Sequence, residues 1–185
     1  FEKIAYQQNP DGLLAVIPQI NSSLNDIKLS RQPLVIVAEA IEKPGNLGAI
    51  LRSADAAGAD AVIICDQCTD VNNPNVVRAS IGTLFSVPIA QASSRETVIW
   101  LKQHGIQIIA AIPQAEKVYT QIDLTCATAI VVGAEKPGLS SLWHRETDYQ
   151  VCIPMHGQAD SLNVASATAI ILFEAMRQRA AKKKT

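Results

Sequence analysis

Apolar residues along this chain fall into short unbroken runs, and mixed polar and apolar stretches separate them. The runs are predicted to be β-strands, at residues 12–17, 33–38, 61–65, 87–90, 106–111, 127–132 and 151–155. The intervening stretches predict helices at residues 49–57, 75–84, 94–104, 139–145 and 161–179. Unbroken apolar runs are typical of strands buried on both faces of a parallel sheet. Because strand and helix alternate, we predict an α/β fold with a mostly parallel sheet that helices cover on both faces.

Two residues at the ends of these elements carry further predictions. Pro88 lies in the run 87–90, and proline lacks the amide proton that a central strand donates, so we expect this strand at an edge of the sheet. Ser161 precedes the last helix, and serine is a favourable N-cap, so we expect the helix to begin there. Such a helix end presents free backbone N–H groups to the preceding loop.

Composition agrees with this fold and limits the partners. Hydrophobic residues make up 48% of the chain and aromatic residues only 4%, so Ala, Val, Ile and Leu must form the core. No apolar run is long enough to span a bilayer, and we expect no membrane partner. The formal net charge is −1, so any binding of nucleic acid must rest on a local basic patch.

The cysteines do not form a recognisable metal or redox motif. Cys65 and Cys68 form a single C-x-x-C pair, Cys126 and Cys152 stand apart, and the three histidines are scattered. A zinc site usually needs two such pairs or matching histidines, so we expect no metal. A redox pair should open a helix, whereas Cys65 ends an apolar run. We therefore expect reduced, structural thiols, which suits the cytoplasm.

Three glycine-containing loops follow predicted strands, at residues 42–48, 133–140 and 155–163. In an open α/β sheet, ligands bind beyond the carboxyl ends of the strands. None of the loops is a phosphate-binding P-loop or a dinucleotide fingerprint, because the spacing of the glycines differs. Glycine-rich strand ends with few charges suit a neutral or zwitterionic ligand held by main-chain groups, as the adenosine parts of cofactors often are.

Each loop or the helix after it also contributes polar residues, which either serve a ligand or have an ordinary structural role. They are Asn46 and Arg52 for the first loop, Glu135 for the second, and Ser161 and Asn163 for the third. Arg52 near the start of its helix would be a costly buried charge without an anionic partner, and a salt bridge to an acid such as Asp55 is the simpler interpretation. Glu135 could be a carboxylate favoured by the next helix N-terminus, and Asn163 a capping amide.

Taken together, the three loops resemble a known family. The segments PGNLGAILRSADAAG at 44–58, GAEKPGLS at 133–140 and IPMHGQADSLNVASA at 153–167 resemble the three motifs of the SpoU family of RNA ribose methyltransferases, in the SPOUT superfamily. The resemblance covers residues 12–179 in the right order. It departs from the family pattern at Lys136-Pro137, where small or acidic residues are common, and at His156 inside the third loop.

The resemblance implies methylation of a ribose 2′-hydroxyl in ribosomal or transfer RNA, with S-adenosylmethionine as the cofactor. It implies a C-terminal trefoil knot and a homodimer whose active site borrows from both subunits. The catalytic positions implied are Arg52, Asn46, Glu135, Ser161 and Asn163. The cofactor-binding positions implied, mainly through backbone, are Ala111, Gly133, Ile153, Met155 and Leu162.

Arg52 is the residue that the family would use to activate the 2′-hydroxyl. A guanidinium keeps its proton in proteins and is therefore a poor base. We therefore favour a hypothesis in which Arg52 binds the adjacent phosphate of the RNA and polarises the 2′-hydroxyl. The proton of the hydroxyl then passes to phosphate or water. Further candidate phosphate contacts are Arg78, Lys136, Arg145 and the basic residues 182–184.

The domain organisation follows from these limits. We expect an arm or linker at residues 1–11, a SPOUT methyltransferase domain at 12–180 and a basic tail at 181–185. Relatives often carry an upstream RNA-recognition domain, and the start at Phe1 suggests that such a domain precedes this segment. Two alternatives stay open from sequence: a catalytically silent RNA-binding module of the same fold, and an unrelated nucleotide-binding enzyme such as a dehydrogenase.

Overall fold

The computed structural model describes residues 15–182, and they form a seven-stranded sheet with helices on both faces. The strands are β1 (Leu34–Glu39), β2 (Ala61–Cys65), β3 (Ile89–Ala92), β4 (Gln107–Ala111), β5 (Lys117–Val118), β6 (Thr128–Val132) and β7 (Tyr149–Cys152). The helices are α1 (Pro44–Ala56), α2 (Pro74–Ser80), α3 (Ser94–Gln103), α4 (Ser141–Glu146) and α5 (Val164–Lys182). Short 3₁₀ turns lie at Leu24–Asp26, Thr83–Phe85 and Tyr119–Gln121.

All strand pairs in the sheet are parallel, and their order is β3-β2-β1-β6-β4-β7-β5. This confirms the predicted parallel α/β sheet. It also confirms the edge position expected from Pro88, because β3 is the last strand on its side. The knot implied by the resemblance stays a prediction.

The alternation of side chains along β1 explains how the two helical layers attach. Ile36 and Ala38 belong to a core with α1, α2 and α5, whereas Val35 and Val37 face a second core with α3 and α4. Successive side chains of a strand point to opposite faces, so a run of apolar residues buries both. Every residue of β1 is buried, which places this strand at the centre of the molecule.

Several predicted element boundaries were wrong. Residues 15–17 form no strand, and Val16 is 90% exposed; residues 12–14 lie outside the described part of the chain. The helix α1 begins at Pro44, because proline suits the first helical position, and residues 44–48 are helical rather than a turn. The strand β7 ends at Cys152, and the two-residue β5 was not anticipated. The predictions for residues 1–11 and 183–185 also lie outside the described residues.

Arg179 fixes the last turns of α5 against the rest of the fold. Its guanidinium donates hydrogen bonds to the carbonyls of Leu124 and Cys126 on one side and of Gln32 and Pro33 on the other. A planar guanidinium with five donors can satisfy several acceptors at once. Arg179 thereby connects α5 to the loops at the amino ends of β1 and β6, and the opposite end of α5 lies at the candidate site.

Candidate active site

A cavity of about 380 Å³ opens at the carboxyl edge of the sheet, beyond β4, β6 and β7. All five positions predicted for the cofactor line it: Ala111, Gly133, Ile153, Met155 and Leu162. Glu135 and Ser161 line it as well. The three strands run in parallel, so their following loops meet at one edge, where ligands bind in open α/β sheets. The volume is in the range of small-molecule sites.

Sequence reasoning missed part of the cavity wall. The residues concerned are Ile112, Pro113 and Gln114 after β4, His144 of α4, and Val164, Ala167 and Ile171 of α5. The wall at α5 is therefore a helix surface rather than a loop. The apolar residues of α5 were visible in the sequence, but only the packing of α5 against α1 and β6 selects which of them face the cavity.

Gly133 is needed where the cavity-lining loop 133–140 closes on itself. A Cβ atom at this position would lie 2.9 Å from the backbone carbon of Gly138 and 2.9 Å from the backbone nitrogen of Leu139. Real Cβ atoms do not approach backbone so closely, so a side chain here would displace the end of the loop. The glycine therefore holds the two ends of the loop together beside the cavity.

The three motif segments meet in a hydrogen-bonded group that we call the Glu135 cluster, formed by Lys43, Asn46, Glu135 and Asn163. Glu135 Oε1 accepts hydrogen bonds from Asn46 Nδ2 and Asn163 Nδ2, both at 3.2 Å. Glu135 Oε2 pairs with Lys43 Nζ at 2.5 Å. Asn163 Nδ2 also donates to Asn46 Oδ1 at 3.0 Å. One carboxylate therefore joins the start of α1, the loop after β6 and the start of α5.

The Glu135 cluster keeps its carboxylate ionised. The hydrogen bond from Lys43 lowers the pKa of Glu135, and the amide of Asn46 acts in the same direction. Charged and neutral donors both stabilise the ionised form of the carboxylate. The ion pair is partly exposed, so it contributes little to the free energy of unfolding. Its effect is to fix the position of the Glu135 side chain.

Lys43 is a site residue that sequence reasoning did not select. It lies at the N-cap position of α1 and has no side-chain capping bond. A signal was available, since Lys43 and Glu135 carry opposite charges and follow strands predicted to share one sheet. Only the adjacency of β1 and β6 makes the pairing visible.

Asn163, rather than Ser161, caps α5, which corrects the predicted start of this helix. Its Oδ1 accepts hydrogen bonds from the backbone nitrogens of Ala165 at 3.0 Å and Ser166 at 3.4 Å. Asparagine is as good an N-cap as serine, and its amide nitrogen is left to bind the Glu135 cluster. Ser161 lies outside the helix, exposed, at the cavity. The capping interpretation of Asn163 is therefore confirmed, and the catalytic role implied by the resemblance stays a prediction.

Arg52 is exposed and lies away from the cavity wall of its own chain. The premise that it would be buried was wrong, because α1 turns it to solvent. The expected salt bridge to Asp55 is absent, since the carboxylate of Asp55 accepts a hydrogen bond from Ser86 instead. Within residues 15–182 the guanidinium of Arg52 makes no hydrogen bond or ion pair. It is therefore free to bind an external anion.

The described residues offer no metal site and no membrane span. No group of three or more His, Cys, Asp or Glu side chains within residues 15–182 could hold a metal ion. None of the helices in the same range is both long and apolar enough to cross a bilayer. The four cysteines are free, and burial raises the pKa of the Cys65 thiol to about 12.

Comparison with known proteins decides the family. The family model described as the SpoU rRNA Methylase family matches residues 33–173, which is most of the chain. The chain belongs to this family. The three motif segments, the cavity and the Glu135 cluster all lie within or at the borders of the matched region. Family membership removes the alternative of an unrelated dehydrogenase.

Individual SpoU relatives agree in sequence. The 23S rRNA (guanosine-2′-O-)-methyltransferase RlmB of Pseudomonas syringae pv. tomato is 41% identical over 153 residues, which are 82% of this chain and 61% of that protein. The 23S rRNA (uridine(2479)-2′-O)-methyltransferase of Streptomyces viridochromogenes is 36% identical over 176 residues, 92% of this chain and 61% of that protein. The chain thus spans about three fifths of the length of these relatives.

Solved SpoU structures agree in fold. The methyltransferase AviRb of Streptomyces viridochromogenes, in complex with the cofactor AdoMet, has a TM-score of 0.83 at 36% identity and covers 88% of this chain and 66% of that one. A structure described as an RNA 2′-O ribose methyltransferase has a TM-score of 0.80 at 40% identity, covering 97% of this chain and 69% of that one. These likenesses support the parallel α/β fold.

Proposed function

We propose that this SpoU protein transfers a methyl group from S-adenosylmethionine to a ribose 2′-hydroxyl of ribosomal RNA. The observation that carries the proposal is the meeting of all three motif segments around one cavity and one carboxylate. Relatives named as 23S rRNA 2′-O-methyltransferases support the substrate class, with ribosomal RNA favoured over transfer RNA. The cytoplasm is the proposed compartment, because a protein that modifies ribosomal RNA has to meet its substrate there.

The cavity fits the proposed cofactor. Its wall combines apolar side chains with the backbone of three loops, which suits a nucleoside with a zwitterionic amino-acid portion. Ala111, Gly133 and Leu162 would hold the cofactor mainly through main-chain groups and close contact. The sulfonium methyl group of S-adenosylmethionine is a strong electrophile, so the protein has to orient the acceptor oxygen and help remove its proton.

Arg52 is proposed to bind the RNA next to the ribose 2′-hydroxyl that accepts the methyl group. An exposed guanidinium without a protein partner is suited to bind a backbone phosphate bidentately. Held there, it would polarise the neighbouring 2′-hydroxyl, and the proton would pass to phosphate or water. If either Arg52→Ala or Arg52→Lys kept near-native turnover at saturating cofactor, this role would be wrong.

A homodimer is proposed to complete the site. Arg52 does not line the cavity of its own chain, so we propose that it reaches the cavity of a second copy. The outer face of α5 supports self-association, because Phe173 is 48% exposed and Ala169 and Ile170 lie beside it half-buried. An apolar helix face of this kind is suited to pack against another protein surface.

Calorimetry and methyl transfer test the proposed function directly. The protein is expected to bind S-adenosylmethionine and not NAD, and to transfer labelled methyl groups to 23S ribosomal RNA. Binding of RNA without any transfer would leave the silent RNA-binding module as the function. Mapping 2′-O-methylated positions in cells with and without the gene then identifies the nucleotide.

A further inference from the structure

Glu39 is a buried acidic residue at the tip of the central strand β1, and the proposed reaction gives it no role. Its side chain is only 3% exposed. Oε1 accepts a hydrogen bond from Ser94 Oγ at 3.0 Å, and Oε2 accepts one from the backbone nitrogen of Ser140 at 2.8 Å. A carboxylate buried in a core is costly unless its oxygens are hydrogen-bonded, and both of these are.

The hydrogen bonds around Glu39 continue through Ser94 to the indole of Trp143. Trp143 Nε1 donates to Ser94 Oγ at 3.1 Å, and Trp143 is fully buried. Ser94 has one hydroxyl proton, which it gives to Glu39, and the hydroxyl oxygen accepts from the indole. The carboxylate of Glu39 thus ties the end of β1 to the first residue of α3 and to both ends of the α4 N-terminal turn.

This network supports one end of the cavity-lining loop 133–140. Ser140 closes that loop, and Gly138 and Leu139 just before it line the cavity. The start of the loop, Gly133, packs against the backbone of these two residues. The Glu135 cluster holds the middle of the loop from the solvent side. Glu39 holds the end of the loop, at Ser140, from the interior of the protein.

We propose that Glu39 is a positioning residue for the cofactor: its carboxylate fixes the Ser140 amide and thereby the closed shape of the loop that lines the cavity. The inference rests on the proposed function, because it assigns the loop to S-adenosylmethionine. Glu39 does not line the cavity itself and acts through the backbone of Ser140.

Glutamine cannot replace Glu39 without a mismatch. If the amide oxygen keeps the bond to the Ser140 nitrogen, the amide nitrogen must face Ser94 Oγ, which already accepts from Trp143. The hydroxyl proton of Ser94 then exchanges a carboxylate acceptor for, at best, the neighbouring sulfur of Cys65, which is a weak acceptor. Glu39→Gln is therefore a nearly isosteric change that disturbs the network specifically.

Calorimetry with S-adenosylmethionine tests the proposal on the full chain. Glu39→Gln is expected to weaken the affinity about tenfold or more, while the matched change Glu146→Gln, at a partly exposed acid that does not line the cavity, leaves it unchanged. Absence of cofactor binding by the unaltered protein would refute the proposed function. Binding by the unaltered protein and equal binding by Glu39→Gln would refute only the role of Glu39.

A proline pair breaks the hydrogen bond at its donor instead of at its acceptor. Ser140 has φ −66°, which proline adopts, but Ser140→Pro replaces the donor N–H with a ring carbon that separates Ser140 from the Glu39 carboxylate. Ser141→Pro is the control, because it lies at the first helical position, where proline is favoured and where its amide has no partner within the described chain. Ser140→Pro is expected to weaken cofactor binding about tenfold, as Glu39→Gln does, and Ser141→Pro to leave it unchanged. Equal binding by both proline variants would overturn the proposal.

Hydrogen exchange of the unaltered protein gives a readout that does not depend on any variant folding. Ser140 is exposed and precedes α4, so its amide would exchange rapidly if it faced water. The bond to Glu39 predicts marked protection of this single amide in the absence of cofactor, compared with Ser141. Rapid exchange at Ser140 would overturn the proposal.

Discussion

The side-chain amide of Asn163 donates a hydrogen bond of 3.0 Å to Oδ1 of Asn46, which lies 117 residues earlier in the chain. Both amide nitrogens also donate to the same oxygen of Glu135. The N-terminus of α5 is therefore oriented by α1 through a shared carboxylate. Replacing any one of the three side chains, Asn46, Glu135 or Asn163, should alter the positions of the other two.

Lys43 and Glu135 are expected to act as a coupled pair in cofactor binding. Lys43→Met and Glu135→Gln should each weaken binding of S-adenosylmethionine, and the double variant should weaken it by less than the sum of the two effects. The reason is that either change alone removes the charged contact between the loop 133–140 and the start of α1. Calorimetry on the four proteins measures the coupling.

The control for this cycle is the ion pair between Lys102 and Glu146, which has the same 2.5 Å separation and similar exposure. The corresponding changes, Lys102→Met and Glu146→Gln, lie on the opposite helical layer. They should leave cofactor affinity unchanged. Additive effects at Lys43 and Glu135 would contradict the coupling.

The Glu135 cluster also predicts how stability depends on pH. The folded protein lowers the pKa of Glu135 below its ordinary value of 4.5, first through the hydrogen bond from Lys43. A group with a depressed folded pKa contributes stability that is present above its unfolded pKa and is lost as the pH falls through the folded value. The difference in unfolding free energy between the unaltered protein and Glu135→Gln should be constant near neutrality and shrink below pH 4.5.

Denaturant unfolding at several pH values measures this difference. The contribution is small, because the carboxylate is exposed to solvent screening. The sign is the useful observation. A difference that grew as the pH fell would mean that the folded protein destabilises the ionised carboxylate. The hydrogen bonds of the Glu135 cluster would then not stabilise it as described.

The sequence predicted the sheet and most of the cavity because parallel strands place their following loops at one edge. The loops that begin at Gly133 and Met155 follow predicted strands, so strand identity alone placed these loops at one edge, whereas Ala111 was named only from the family resemblance. The start of α1 was wrong for the opposite reason. Gly45 and Gly48 have poor helix propensity, and a turn was expected, but packing of α1 overrides that weak preference.

The burial of Glu39 and the pairing of Lys43 with Glu135 could not be predicted from the sequence pattern. Glu39 reads as an ordinary polar residue after a strand, and its burial depends on α3 and α4 meeting above it. The position of Arg52 was unpredictable in the same way, since its exposure depends on the rotation of α1. Each of these depends on contacts between distant segments, which local patterns do not encode.

Gly48 is expected to be intolerant of a side chain, whereas Gly45 in the same helix is not. A Cβ at Gly48 would lie 2.5 Å from Ala79 Cβ and 2.8 Å from the backbone of Ser80, where α1 crosses α2. Gly48→Ala should lower the free energy of unfolding by about 1–3 kcal/mol through overpacking. A Cβ at Gly45 would meet nothing within 4 Å beyond the backbone of its own helix, so Gly45→Ala should leave stability unchanged or raise it by up to about 1 kcal/mol.

Denaturant titration compares the two glycine variants directly. Both add the same methyl group to the same helix, and the more interior Gly48 should gain at least as much from helix propensity as Gly45, which lies in the first turn. A lower stability of Gly48→Ala therefore reports the close approach of α1 to α2. Equal stability of the two variants would show that the helices are further apart than the Gly48 contacts require.

The four cysteines should differ in reactivity. Burial raises the pKa of the Cys65 thiol to about 12, and its sulfur contacts Thr97 Oγ1 at 3.1 Å. Cys68 is exposed. Because the thiolate is the reactive form, iodoacetamide at about pH 8 should label Cys68 quickly and Cys65 only after unfolding. Mass spectrometry of peptides after timed labelling distinguishes them, and rapid labelling of Cys65 in the folded protein would contradict its burial.

Hybrid dimers test whether Arg52 serves the cavity of the other subunit. Arg52→Ala keeps an intact cavity, and Gly133→Ala keeps Arg52 but displaces the loop that lines the cavity. Each variant alone should be inactive in methyl transfer. In a mixed dimer, the intact cavity of one chain would face the intact Arg52 of the other, so one of its two sites is complete. If half of the dimers in an equal mixture are mixed, activity should recover to about a quarter of the unaltered level. Were Arg52 to act within its own chain, no dimer in the mixture would hold a complete site, and activity would stay at the level of the separate variants.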